Sequence, residues 1–179
     1  MALPQLLAVA LAAAAFTLPG ISPALANCQD PPMEGVTWDG CDVAGRSLPD
    51  ADLRNAFISG ADMAHADLTG ARFNGSFLRT TKLAGAKLAH SDFTLADLTD
   101  ADLSGADLSG ATLAEATFTG ANLEGADLSG ADLTGATLDN ASLKGAKIDG
   151  AVLTRASLDQ TVWVDGKVCA ETSFESCQK

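Results

Sequence analysis

Residues 101–110 read ADLSG-ADLSG, and this five-residue unit repeats through most of the chain. Written in fives from Ala51 to Gln160, the sequence holds 22 consecutive pentapeptides without an insertion. The first position is Ala in 19 of them, the third is Leu in 16, and the fifth is Gly in 12. The same spacing of apolar residues continues outward through Trp38 and Trp163. A repeat of this length and fidelity dictates the fold.

A period of five residues excludes both an α-helix and a flat β-strand as the element that buries these side chains. In an α-helix, successive third-position residues would step about 140° around the axis and form no common face. In a flat strand, an odd period would place them on alternating sides. A coil that turns one corner every five residues directs all of them to a common axis. Four corners close a coil of 20 residues, and further coils stack on it as in a solenoid.

The units Ala101–Gly105 and Ala126–Gly130 follow the consensus A(D/N)LXX, which resembles that of the pentapeptide-repeat family. The resemblance implies an all-β fold, a right-handed quadrilateral parallel β-helix with the third residue inward and Ala packed beside it. We expect about 5.5 to 6.5 coils with disulfide-closed ends. The family shares a shape and no catalytic residues. Its best understood members mimic DNA and bind topoisomerases.

The composition of the chain limits the classes of partner that it can bind. The 179 residues include 11 Lys+Arg against 23 Asp+Glu, so the net charge is −12. Hydrophobic residues make up 47%, which excludes a disordered acidic tail. Nucleic-acid binding draws on Lys and Arg, so we expect no nucleic-acid partner. A protein that imitates nucleic acid stays open as the alternative.

Residues 20 apart stack into columns, and the outward second positions give four of them. In three columns the charge alternates in sign along the first three coils, and Arg72, Arg79, Lys82 and Lys87 form a basic belt. A DNA mimic needs a continuous acidic face, so this alternation weighs against mimicry. We expect the opposite charges to stabilise neighbouring coils. A protein-binding role for the belt is the alternative.

Phe57 and Phe77 are an unusual pair, because both occupy outward second positions and one lies directly above the other. They are candidate partner-binding residues, since exposed aromatic patches mark docking sites. They are equally explained if the segment Asp30–Asp50 folds back and covers them. Of the two interpretations, we favour the second, in which the segment Asp30–Asp50 covers the two rings.

The N-terminus predicts export. Residues 6–16 are an apolar run too short to span a bilayer, and Ala24-Leu25-Ala26 is typical of a signal-peptidase site. We therefore divide the chain into a signal peptide (1–26), an N-terminal cap (27–50), the repeat array (51–160) and a C-terminal cap (161–179).

Lipidation of Cys28 is a less favoured alternative to simple cleavage of the signal peptide. We expect a periplasmic or secreted protein with no membrane attachment after cleavage, or a thylakoid-lumen protein in a cyanobacterium. The run from Trp163 to Cys177 resembles the endings of exported pentapeptide proteins from cyanobacteria and chloroplast lumens.

Four cysteines in an exported chain indicate two disulfides, for which three connectivities exist. Cys41 and Cys169 are separated by about six coils, roughly 30 Å along the axis. A disulfide needs Cα atoms within roughly 7 Å. We therefore expect Cys28 to pair with Cys41, and Cys169 with Cys177. Zinc is the poorer interpretation, because no His lies near either pair.

No catalytic constellation is evident. His65 and His90 fall at turn positions, and neither has a nucleophile and carboxylate beside it. Isolated Asp side chains do not supply the oxygens of a calcium site, so we expect no metal and no cofactor. The sequence predicts a non-catalytic scaffold, a monomer or weak dimer, that binds an unidentified protein. The alternative function is a DNA-mimicking inhibitor or protector of a topoisomerase such as gyrase.

Overall fold

The chain winds into a stack of 20-residue coils. The computed structural model describes residues 26–173, 176 and 177. In this part of the chain, 22 parallel β-bridges each join residues 20 apart, from Thr37–Phe57 to Ser142–Val162. The bridges are single residues at the second position of each pentapeptide, and the described residues contain no longer strand and no helix. Four bridges per coil give a four-sided β-helix.

Backbone hydrogen bonds show how each pentapeptide forms one side and one corner. In the unit that begins at Ala101, the Leu103 N–H donates to Asn122 O at 2.7 Å and the Gly105 N–H to Glu124 O at 2.9 Å, both in the following coil. The Ala106 N–H turns back to Leu103 O at 3.0 Å and closes the corner. The fifth residue, here Gly105 with φ of 63°, takes the left-handed conformation. Gly is frequent there because it has no Cβ to clash.

First- and third-position side chains fill the narrow interior, as the period-five pattern predicts. Phe73 and Phe93 stack there with ring centroids 4.4 Å apart and planes inclined by 3°. Ile148 and Leu153 are the partly exposed third-position residues in the last coil, where no complete coil follows. Buried Ser or Thr replaces Ala at a few first positions, and the hydroxyl donates to a third-position carbonyl, as Thr81 does to Ile58 O at 2.9 Å. This bond satisfies the buried hydroxyl.

Both ends of the described chain carry a disulfide. Cys28 is bonded to Cys41 with Cα atoms 5.4 Å apart, and Cys169 to Cys177 with Cα atoms 4.9 Å apart. The C-terminal segment packs on the last coil through an antiparallel bridge between Val162 and Val168. These are the pairs expected from the coil spacing.

The predicted signal peptide, residues 1–26, lies outside the described residues except for Ala26. Among the residues that are described, none forms a helix with the length and apolar character needed to cross a bilayer. The division into signal peptide, caps and array stays a prediction.

Candidate protein-docking surface

Phe57 and Phe77 form an exposed aromatic pair on one side of the rod. Their ring centroids are 5.2 Å apart with planes inclined by 15°, and they are 46% and 45% exposed. The expectation that Asp30–Asp50 covers them is wrong. Thr37 bridges Phe57, so this segment continues the coil above Phe57 and does not fold over the rings. Trp38 explains the difference, because its buried side chain holds the segment in register with the coil below.

The basic belt pairs with carboxylates of neighbouring coils. Three of its cations reach the Asp one coil earlier in the same column, and Arg79 reaches an Asp in the following coil. Neighbouring coils are therefore joined by opposite charges, as the alternation predicts, while each cation keeps at least half of its side chain exposed. A protein-binding role for the belt stays a prediction. The N–O distances are 3.0 Å for Arg72–Asp52, 3.4 Å for Arg79–Asp97, 3.3 Å for Lys82–Asp62 and 3.7 Å for Lys87–Asp67.

Two of the Asp carboxyls titrate well below their ordinary range. Hydrogen bonds from the Arg54 side chain, with the charge of Arg72 in support, lower the pKa of Asp52 from 3.8 to about 2. Hydrogen bonds from Ser129 and Lys147 lower the pKa of Asp127 to about 2 as well. Both carboxyls therefore stay ionised at neutral pH, which suits a structural role and not that of a general acid.

A recurring turn involves eight further Asp residues, all at the second position of a pentapeptide. A second-position Asp accepts the N–H of the fourth residue, and in four units the Thr or Ser hydroxyl at that position donates to it as well. Asp92 binds Thr94 in this way, with N–H and hydroxyl distances of 2.9 and 2.6 Å, and Asp97 binds Thr99. These bonds fix the corner, which explains the Asp-Leu-Thr or Asp-Leu-Ser spacing in physical terms.

The two histidines occupy exposed corners. The His65 ring lies over the Cα of Gly85 in the next coil, and His90 lies likewise over Gly110. The described residues contain no cavity and no group of His, Cys, Asp or Glu side chains with the geometry of a metal site. The arrangement found there offers a surface for binding and no pocket for a substrate.

Sequence reasoning missed two features of this surface. Leu95 is 62% exposed at a corner position with φ of 63°. Between Lys87 and Lys144 the chain contains ten acidic residues and no Lys or Arg, and we call residues 88–143 the acidic band. Of these ten, only Asp97 and Asp127 form ion pairs with described residues. Marking the positions of Lys and Arg along the sequence would have revealed the band.

Comparison with known proteins places these features in context. The family described as Pentapeptide repeats matches residues 47–83, 78–114 and 116–155 with eight copies, which together span more than half of the chain. A search of curated proteins finds no significant match.

Solved structures of several pentapeptide repeat proteins are similar to the chain. HetL from the cyanobacterium Nostoc sp. strain PCC 7120 is 30% identical, with 76% of this chain and 67% of HetL covered and a TM-score of 0.30. Rfr23 from the cyanobacterium Cyanothece 51142 is 28% identical, with 71% and 90% covered and a TM-score of 0.39. A protein from the Arabidopsis thaliana thylakoid lumen is 24% identical, with 80% and 85% covered and a TM-score of 0.26.

Proposed function

The chain belongs to the pentapeptide repeat family, and on that premise we propose that it is an exported, non-catalytic scaffold that binds a protein partner through Phe57 and Phe77. Members of the family fold as right-handed quadrilateral β-helices and are generally structural or binding proteins. The coil count of about 5.5 to 6.5, the export and the compartment, periplasm or thylakoid lumen, are parts of this proposal.

The exposed Phe pair is the observation that carries the proposal. A coil that presents polar groups at most second positions has no packing reason to expose two aromatic rings on adjacent coils. Their stacking covers only one face of each ring, and nearly half of each side chain remains exposed to solvent. Aromatic side chains contribute large contact areas at interfaces, where they are enriched. A rigid side that carries such a pair suits the docking of another protein.

Affinity capture with matched variants tests this role. The double variant Phe57→Ser/Phe77→Ser is compared with Thr117→Ala/Thr137→Ala, which changes two second positions of the same column further along the rod. We expect the Phe variant alone to lose a specific partner from an extract of the compartment, with both variants keeping their circular dichroism spectrum. An unchanged set of captured proteins would contradict the role of the Phe pair.

The acidic band is the observation that favours the alternative, a DNA mimic acting on a topoisomerase such as gyrase. The band, however, spreads its charge over all four sides. In the four outward columns only Asp107 and Asp127 stack as neighbouring acids within it, joined by a bridge. A gyrase supercoiling assay tests this function, and inhibition or protection by the purified chain at stoichiometric concentration would support it.

A further inference from the structure

Leu95 lies at a corner with positive φ, a backbone conformation that is less favourable for Leu than for the Gly and polar residues at the other corners. In the described chain, 12 residues other than Gly have positive φ, and Leu95 is the apolar one among them. Its side chain is also 62% exposed, more than any other large apolar residue described. Backbone strain and exposed apolar area are both unfavourable for the isolated protein. Their coincidence at one residue points to a functional role.

Leu95 lies beside the Phe pair. Asp97, two residues further on, bridges Phe77, so the Cα atoms of Leu95 and Phe77 are roughly 8 Å apart by coil geometry. Three of the six exposed large apolar residues of the described chain therefore lie along one edge of the rod. We call this the apolar edge: Phe57, Phe77 and Leu95.

The charge next to the apolar edge is negative. Glu115 lies one coil beyond Leu95 at the same corner, and Asp100 lies at the following corner of the coil that contains Leu95. Both are exposed, and neither forms an ion pair with a described residue. Arg79, which flanks Phe77, is already paired with Asp97. A ligand seated on the apolar edge therefore meets uncompensated negative charge.

We propose that the apolar edge and the adjoining carboxylates bind a basic, amphipathic segment of a protein partner. Its apolar side chains would cover Phe57, Phe77 and Leu95, and its Lys or Arg side chains would face Asp100 and Glu115. Charge complementarity selects this occupant, because nucleic acid and anionic lipid would both be repelled by the acidic band. The inference rests on the proposed protein-binding function and adds the chemistry of the partner.

Two synthetic peptides test the inference on the full-length protein. One is a short amphipathic helix of Leu and Lys, and the other carries Glu in place of every Lys. We expect fluorescence anisotropy to show binding of the Leu/Lys peptide and none of the Leu/Glu peptide. Phe57→Ser/Phe77→Ser should weaken the binding about tenfold or more, as loss of aromatic anchors does.

Two further variants separate binding from folding. Leu95→Gly should weaken peptide binding several-fold without lowering the melting temperature, because Gly is the preferred residue at positive φ. Asp100→Asn/Glu115→Gln should weaken the binding and reduce its dependence on salt. The matched control, Asp149→Asn/Glu171→Gln, removes two charges near the C-terminal end and should leave the affinity within about twofold.

The outcomes distinguish this inference from the function on which it rests. Equal binding of both peptides, absence of binding by the Leu/Lys peptide, or indifference to the three variants would overturn the basic-segment proposal. Loss of a captured partner in Phe57→Ser/Phe77→Ser would in that case still uphold the docking function. A dimer in sedimentation equilibrium that the same Phe variant dissociates would assign the edge to a second copy, and would overturn the proposal in that way.

Discussion

A substitution at Gly85 tests the vertical contact between coils. The Gly85 and Gly105 corners belong to the same column and both have φ of 63°, so a new Cβ carries the same backbone penalty in each, about 1 kcal/mol. Their surroundings differ. A Cβ on Gly85 would lie 2.5 Å from Nδ1 and 2.8 Å from Cε1 of His65, whereas a Cβ on Gly105 has nothing within 4 Å.

The His65 ring must rotate away to admit the methyl group, at an added cost of about 0.5–1.5 kcal/mol. We therefore expect Gly85→Ala to reduce the free energy of unfolding by about 2 kcal/mol and Gly105→Ala by about 1 kcal/mol. Urea denaturation followed by circular dichroism measures both values. In a His65→Gly background the two substitutions should cost the same. Equal costs in the wild-type background, or a difference that persists without the imidazole, would refute the contact.

Three further predictions concern charge, covalent structure and the core. Folding lowers the pKa of Asp52 and of Asp127 from 3.8 to about 2. Their contribution to stability is therefore complete above pH 3.8 and is lost as the pH falls toward 2. The melting temperature should be flat from pH 5 to 8 and decline below about pH 4. Alkylation of the unreduced, denatured protein should label no cysteine, and peptide mapping should find the two end-closing disulfides; labelling of free thiols would contradict this pairing. Phe118→Ala, at a fully buried third position, should cost about 3–5 kcal/mol in urea denaturation, and a loss below about 1 kcal/mol would contradict its burial.

The periodic part of the fold could be predicted from the sequence because every pentapeptide repeats the same physical choice. Leu at the third position and Ala at the first leave one arrangement that buries them all, and columns of residues 20 apart follow from it. The alternation of Asp62 and Lys82 along one of these columns is therefore sufficient to predict their ion pair.

The exceptions to the repeat could not be predicted in the same way. Whether residues 30–50 cover Phe57 depends on the path of a segment that lacks the strict consensus, and the register of Trp38 decides it. Leu95 looks like one irregular residue in the sequence; its significance depends on positive φ, exposure and its place beside Phe77. The disposition of His65 over Gly85 likewise depends on the rotamer that the corner imposes.

The apolar edge exists only if residues 20 apart lie on one side of the rod. Thr117 and Thr137 form a parallel bridge, so cysteines placed at both positions would have Cα atoms about 5 Å apart, within disulfide range. The double variant Thr117→Cys/Thr137→Cys should form an intramolecular disulfide on mild oxidation, detected by peptide mapping. The control Thr117→Cys/Asp132→Cys places the second cysteine on a neighbouring side and should not. A bond in the control pair and none between positions 117 and 137 would contradict the 20-residue coil.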